Sequence, residues 1–111
     1  MSKLKTFMAG EILAMEGEKS NKFFVLLEGK IGVYRSNTKI NEFEKEGTII
    51  GELSMILNQP RTASIKALTD SSVLIIEGEL DEIVKQYPDY SKKLIRSLAE
   101  RLASAAESFN G

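Results

Sequence analysis

The sequence predicts an α+β domain in which short strands come first and helices follow. Residues 1–78 alternate short apolar stretches with turn residues, whereas residues 79–109 are rich in helix-forming residues. Several short strands at spacings of about 8–12 residues favour a sandwich or barrel. Because strands and helices are segregated along the chain, the pattern is typical of α+β rather than α/β proteins.

The strand predictions rest on β-branched and aromatic runs bounded by turn residues. Residues 22–28 predict a largely buried strand, and residues 31–35 predict a half-buried partner for it. A turn is expected at residues 36–38 and another at residues 70–72. Further strands are predicted at residues 39–45, where the apolar face is mixed, and at residues 64–67 and 73–76.

Two helices are predicted after Gly78. Leu80, Ile83 and Val84 have helical spacing, and Pro88 should end that helix because the residue before a proline avoids the α region. Asp89 or Ser91 could cap the next helix, which we expect over residues 92–109.

Composition limits the classes of function. With 111 residues, 42% hydrophobic residues and a net charge of −1, the chain suits one domain with no general attraction to DNA or acidic membranes. It has no cysteine, which is compatible with a reducing cytoplasm, and no histidine, the commonest general base and metal ligand. No apolar run approaches the roughly 20 residues of a membrane span, and no signal peptide is evident.

The most informative segment is residues 50–67, where Glu52 and Arg61 lie nine positions apart. The sequence predicts that Gly51 and Glu52 lead into a short apolar helix, whose first N–H groups would favour an anion. Arg61 could bind a phosphate through two parallel hydrogen bonds. A carboxylate beside a phosphate suits hydrogen bonding to a sugar hydroxyl. The segment therefore predicts a ligand with one phosphate and a free ribose hydroxyl.

This segment resembles the phosphate-binding cassette of the cyclic nucleotide-binding domain family. Ile50, where an aromatic residue is common, and Met55, where leucine is usual, are the departures. Turn glycines at 17, 29 and 47 and the helical residues 79–109 extend the resemblance over nearly the whole chain, and the helical part is most similar to catabolite activators. The matching cassette residues are Gly51, Glu52, Leu53, Ser54, Pro60, Arg61, Ala63, Ile65 and Ala67.

The resemblance implies a single domain over residues 1–111. Residues 1–78 would form an antiparallel β jelly-roll barrel, a double-stranded β-helix, with the short cassette helix inserted. Residues 79–109 would form a hinge and C-terminal helices. We expect either a stand-alone sensor or an excised domain, with any missing part on the C-terminal side.

The resemblance also implies a site for cAMP or cGMP, with no other cofactor, no metal and no catalytic residue. Glu52 would accept a hydrogen bond from the ribose 2′-hydroxyl, and Arg61 would pair with an exocyclic phosphate oxygen. Backbone amides near Leu53, Ser54 and Ala63 would complete the phosphate cradle, with Gly51 opening the helix. Taken singly, Glu52 could instead be a helix-capping carboxylate and Arg61 a surface residue.

Two further residues bear on the base. In cGMP-dependent relatives, a threonine at the position of Thr62 can bond the guanine amino group; the alternative is a threonine suited to a strand. Arg101 could stack on the purine, or be a solvated or intrahelical charge. Ala105 and Ala106 replace the Thr-Ser pair of catabolite activators. We expect a modest preference for cAMP over cGMP.

The predicted C-terminal helix carries a short apolar seam with spacings of three and four residues. It could form a homodimer, as in catabolite activators, or pack onto its own domain. The seam residues are Ile95, Leu98, Leu102, Ala105 and Phe109.

The leading hypothesis is a cytoplasmic regulatory sensor that binds a cyclic nucleotide and acts on an unknown protein effector, with no direct binding to DNA or membranes. The alternative is a fold of this kind that serves as a protein-interaction scaffold without ligand. An enzyme, such as a phosphodiesterase, is disfavoured because histidine, cysteine and clustered carboxylates for two metals are lacking.

Overall fold

The computed structural model describes residues 2–110, with side chains described to residue 106. The chain divides into two compact units, Met1–Glu79 and Leu80–Gly111. The first contains β1 (Ser2–Phe7), β2 (Ile12–Ala14), β3 (Lys22–Glu28), β4 (Ile31–Arg35), β5 (Thr38–Phe43), β6 (Ile49–Ile50), α1 (Glu52–Leu57), β7 (Ser64–Ala67) and β8 (Ser71–Glu77). The second contains α2 (Leu80–Gln86) and α3 (Pro88–Asn110).

The strands of the first unit form two antiparallel sheets of four strands each. Their orders are β1-β8-β3-β6 and β2-β7-β4-β5, so most neighbours in a sheet are distant in sequence. The α+β class and the jelly-roll arrangement are confirmed. The predicted barrel is open, because the strands hydrogen-bond within two separate sheets and do not form one closed ladder.

The core lies between the two sheets. Phe24 and Leu26 of β3 and Val73 of β8 meet Ile31 and Ile65 from the other sheet, and all five are buried. Phe23 and Val25, which alternate with these residues on β3, are buried as well. Burial on both faces explains why residues 22–28 form a continuous apolar run rather than an alternating one.

Most predicted strands occur where the sequence placed them. Residues 22–28, 31–35 and 64–67 coincide with β3, β4 and β7, and residues 39–45 correspond to β5, shifted toward the N-terminus. The predicted turn at residues 70–72 is wrong in part. Ser71 and Ser72 belong to β8 because they pair with Phe7 and Thr6 of β1. β1, β2 and β6 had not been assigned individually.

The turn between β4 and β5 contains two residues rather than the three predicted. Ser36 and Asn37 have φ angles of 51° and 66°, and Arg35 pairs directly with Thr38. Positive φ at both central positions is the geometry of a type I′ turn, whose twist matches that of the flanking strands.

The second unit consists of α2 and α3 with Tyr87 between them. α3 begins at Pro88 and not at residue 92, because proline fits the first turn of a helix, where its missing N–H is not needed. Asp89 and Ser91 therefore lie inside α3 and do not precede it as caps. The Ser91 hydroxyl instead donates to the Tyr87 carbonyl at 3.0 Å.

The predicted seam on α3 is largely exposed. Ile95 and Leu102 are 67% and 73% exposed, while Leu98 is half-buried and Ala105 is exposed. The Phe109 side chain lies outside the described residues. Within the described part of the chain, no helix is long and apolar enough to cross a membrane.

Replacing Leu26 with alanine should destabilise the first unit by about 2–5 kcal/mol, because a fully buried leucine leaves a cavity when it is truncated. Leu4→Ala is the matched control. Leu4 is 65% exposed, so its truncation should change the free energy of unfolding by about 0.5 kcal/mol or less. Urea denaturation followed by circular dichroism measures both. Equal losses in the two variants would contradict this packing.

Candidate functional site

The segment predicted to bind phosphate forms a strand, a short helix and a return to the next sheet. Gly51 lies between β6 and α1 and is the N-cap of the helix, in the left-handed conformation with φ of 80°. Glu52 is the first residue of α1 and is buried. The helix ends at Asn58, which is also left-handed and whose N–H donates to the Ser54 carbonyl. Both ends of α1 are thus sharp turns that return Arg61 toward Gly51.

Gly51 and Arg61 are in close contact. Arg61 Nη1 donates to the Gly51 carbonyl at 3.2 Å. A β-carbon added at Gly51 would lie 2.8 Å from Arg61 Nη1 and 3.1 Å from a methyl carbon of Ile65. Glycine is therefore required at position 51 for two reasons, the backbone conformation and the proximity of the guanidinium group.

The Arg61 side chain is buried, with only 5% of the residue exposed. Nη2 donates to the Lys22 carbonyl on β3 at 3.0 Å. The guanidinium carbon also lies 5.6 Å from the centre of the Phe24 ring, within cation–π distance. Arg61 thus connects β3 with the residue that begins α1.

The backbone of Arg61 is fixed by the loop between β2 and β3. Its N–H donates to the Glu18 carbonyl at 2.8 Å, and its own carbonyl accepts from the Gly17 N–H at 2.7 Å. The position of Arg61 is therefore set by peptide groups before any ligand is considered.

The third edge of the guanidinium group faces a carboxylate. Nε lies 3.6 Å from Glu18 Oε1, and among the described residues this buried nitrogen has no hydrogen-bond partner. Burial lowers the pKa of Arg61, and the negative charge of Glu18 opposes part of that shift. A buried donor without a hydrogen-bond partner is costly, so the Nε of Arg61 is an exception that calls for an explanation.

A cavity of about 410 Å³ adjoins Arg61, within the size range of small-molecule sites. Six of its eight lining residues are polar, and four of the eight come from the loop between β2 and β3. The lining residues are Leu13, Glu18, Lys19, Ser20, Asn21, Lys22, Phe24 and Arg61.

Among the predicted site residues in the segment 50–67, Gly51 contacts Arg61 directly and Ser54 contacts Gly51. Of the whole predicted set, Arg61 alone is among the described residues that line the cavity. Ser54 is buried, and its hydroxyl lies 3.4 Å from the Gly51 carbonyl. Leu53 is 46% exposed, and Ala63 is half-buried. Thr62 is exposed, and its carbonyl accepts from Arg35 Nε at 3.1 Å.

Arg101 is the predicted site residue outside this segment. It is exposed on α3, in the second unit. Its role over the base stays a prediction.

Three residues next to Arg61 were not predicted as parts of the site. Glu18 and Lys22 contact it through a carboxylate and a backbone carbonyl, and Phe24 had been assigned to the core. The turn glycine at position 17 was the only signal near Glu18. Nothing in the sequence indicates that this loop pairs with residue 61. In the part of the chain that the structure describes, no group of three or more His, Cys, Asp or Glu residues could hold a metal ion.

Comparison with known proteins agrees with the geometry. Residues 4–87 match the family described as the cyclic nucleotide-binding domain. The chain belongs to this family. It is 33% identical over 78 residues to the cGMP-dependent protein kinase egl-4 of Caenorhabditis briggsae, covering 70% of this chain and 10% of the kinase. The chain therefore spans a small part of that relative.

Solved structures show the same fold. The cAMP-bound PfPKA-R chain has a TM-score of 0.74 at 27% identity, covering 96% of this chain and 36% of that one. The catabolite activator protein of Thermus thermophilus has a TM-score of 0.83 at 19% identity, covering 98% of this chain and 54% of that one. At that identity, the second match shows the fold alone.

Replacing Gly51 with alanine should lower the stability of the first unit more than a matched glycine substitution does. Gly17 has a similar φ of 86°, but an added β-carbon there would meet nothing within 4 Å. Gly17→Ala should therefore cost about 1–2 kcal/mol from backbone conformation. Gly51→Ala should cost about 1–3 kcal/mol more, because the added carbon displaces Arg61. Equal unfolding free energies in the two variants would show that the contact with Arg61 is easily relieved.

Proposed function

We propose that this chain is a regulatory sensor module that binds a cyclic nucleotide monophosphate. The observation that carries the proposal is the buried guanidinium of Arg61 beside a cavity, with a buried Nε that has no hydrogen-bond partner among the described residues. Family membership supports a ligand of this kind, as does the resemblance to a cAMP-bound chain and to a kinase named as cGMP-dependent.

Arg61 binds the phosphate in this proposal. A guanidinium group has five N–H donors, and two of those of Arg61 donate to the carbonyls of Gly51 and Lys22. The remaining donors can form charge-assisted bonds to an exocyclic phosphate oxygen. The same two carbonyls hold the group in position, which limits the entropy lost when the ligand binds.

Glu52 accepts the ribose 2′-hydroxyl in this proposal, and amides near Leu53, Ser54 and Ala63 complete the cradle. Glu52 is the residue next to Gly51, whose carbonyl Arg61 contacts. The residues proposed for the phosphate and the sugar, Arg61 and Glu52, therefore lie nine positions apart in one segment, and the hydrogen bond from Arg61 to Gly51 brings its two ends together.

Base preference rests on Thr62 and Arg101. Thr62 follows the phosphate-binding arginine and is exposed, so its hydroxyl is accessible to a ligand. It permits cGMP without requiring it, and we propose a modest preference for cAMP. Arg101 would contact the purine from α3.

Signal transmission would pass through the hinge around Gly78–Tyr87. Ligand binding would draw the segment 50–67 inward and place α3 over the base as a lid. A ligand shifts such an equilibrium only by its difference in affinity for the two states. The effector is a protein of unknown identity.

We propose that the module is not itself an enzyme and acts in the cytoplasm. Homodimerisation through α3 is supported by the exposure of Ile95 and Leu102. The alternative function is a protein-interaction scaffold without ligand, which is favoured by Leu53 and Leu57, both about half exposed on α1.

Arg61→Ala should weaken cyclic nucleotide binding by about 30- to several-thousand-fold, because truncating one partner of a buried charge pair costs about 2–5 kcal/mol. Arg61→Lys should recover little of the lost affinity, since a lysine cannot provide two parallel donors. Isothermal titration of cAMP and cGMP into the full chain measures both effects.

Arg35→Ala is the control for Arg61. Arg35 also bonds this segment, but it does so from the exposed side through the Thr62 carbonyl. Loss of the Arg35 side chain should leave the Kd for the cyclic nucleotide within about tenfold of that of the unmodified chain. Unchanged affinity in Arg61→Ala would refute the assignment. If the unmodified chain shows neither heat nor a rise in melting temperature with either nucleotide, the scaffold function stands instead.

Thr62→Ala should weaken cGMP binding by about two- to tenfold, the loss expected from one hydrogen bond, and should leave cAMP binding nearly unchanged. Thr62→Ser is the matched control because it retains the hydroxyl. Competition titrations against a fluorescent cyclic nucleotide give the ratio of the two affinities. An equal change for both ligands would assign Thr62 a structural role in the bend before β7.

A further inference from the structure

A carboxylate, that of Glu18, lies beside the proposed phosphate-binding arginine. Glu18 Oε1 lies 3.6 Å from Arg61 Nε, and the side chain of Glu18 is 48% exposed and lines the cavity. Hydrogen bonds of 2.8 Å and 2.7 Å join the backbone of this loop to Arg61 in both directions. The backbone of Glu18 is therefore fixed beside Arg61, and its carboxylate lies within ion-pair distance of the guanidinium group.

A phosphate that binds Arg61 would meet this negative charge. A phosphate oxygen bonded to the guanidinium would lie within about 10 Å of the Glu18 carboxylate, given ordinary hydrogen-bond lengths. That separation is close to the Debye length at physiological salt, and screening is weaker at a partly buried site. The phosphate is attracted by Arg61 and repelled by Glu18 at the same time.

The repulsion depends on the charge of the phosphate. A cyclic phosphodiester carries one negative charge, whereas a phosphomonoester carries about 1.5 to 2 at neutral pH. Coulomb repulsion from Glu18 is proportional to that charge, so it opposes the monoester nearly twice as strongly. Lys19 and Lys22 also line the cavity and are exposed, as Glu18 is, but of these three side chains Glu18 is the one that lies within ion-pair distance of Arg61.

We propose that Glu18 is a specificity-determining residue that excludes linear nucleoside monophosphates in favour of cyclic ones through the charge of the phosphate. This inference rests on the proposed function, because it assumes that Arg61 binds the phosphate. It assigns Glu18 a role distinct from orienting Arg61. A purely orienting role would affect both classes of nucleotide equally.

The test compares affinities for cAMP, cGMP, 5′-AMP and 5′-GMP in the full chain and its variants. Glu18→Gln retains the shape and removes the charge, and Glu18→Asp retains the charge on a shorter side chain. Glu16→Gln removes an equal charge from the same loop, from a carboxylate that accepts from the Ser36 N–H instead. Melting temperatures establish that each variant is folded.

Glu18→Gln should lower the ratio of the monophosphate Kd to the cyclic nucleotide Kd by about three- to tenfold. Glu18→Asp and Glu16→Gln should leave this ratio near that of the unmodified chain. Equal shifts for both nucleotide classes in Glu18→Gln would overturn the inference and leave Glu18 an orienting role. A ratio that changes equally in the Gln and Asp variants would overturn it too, because shape and not charge would then decide.

Failure of the proposed function would look different. If the unmodified chain binds none of the four nucleotides, both proposals fall. The unmodified chain could instead bind cyclic nucleotides, and Arg61→Ala could abolish that binding, while Glu18→Gln leaves the ratio of the monophosphate Kd to the cyclic nucleotide Kd unchanged. In that case only the role of Glu18 is overturned.

Discussion

The burial of one guanidinium group governs the arrangement of this site. Arg61 is held by the Lys22 carbonyl from β3 and by the Gly51 carbonyl at the start of α1. Burying a charge is costly unless its donors find acceptors, so these two carbonyls offset part of the cost of burying Arg61. The left-handed glycine follows from the same constraint, because no side chain fits between α1 and Arg61.

Much of the first unit could be predicted from local sequence patterns. β3, β4 and β7 were placed correctly because apolar and β-branched runs bounded by turn residues are local signals. β1 was not predicted as a separate strand because five of its six residues are exposed, and its order comes from pairing with β8. The start of α3 was misplaced because Pro88 was interpreted as a stop for one helix and not also as the first residue of the next.

The site was predictable where its residues share one segment. Gly51, Glu52 and Arg61 were identified from a pattern within residues 50–67. Glu18 and Lys22 were not, because their contacts with Arg61 cross between segments that are remote in sequence and one of them uses a backbone carbonyl. A backbone carbonyl exists at every residue, so no choice of side chain marks the position that will be used.

The hydrogen bond between Arg61 and the Lys22 carbonyl spans 39 residues of sequence. Contacts of such separation form only after the intervening chain has been organised, since closing the loop costs conformational entropy. Arg61 therefore acquires its position only when β3, α1 and the loop before β3 have assembled. A chain that is still emerging from the ribosome lacks this arrangement, so any ligand binding that depends on Arg61 requires the folded unit.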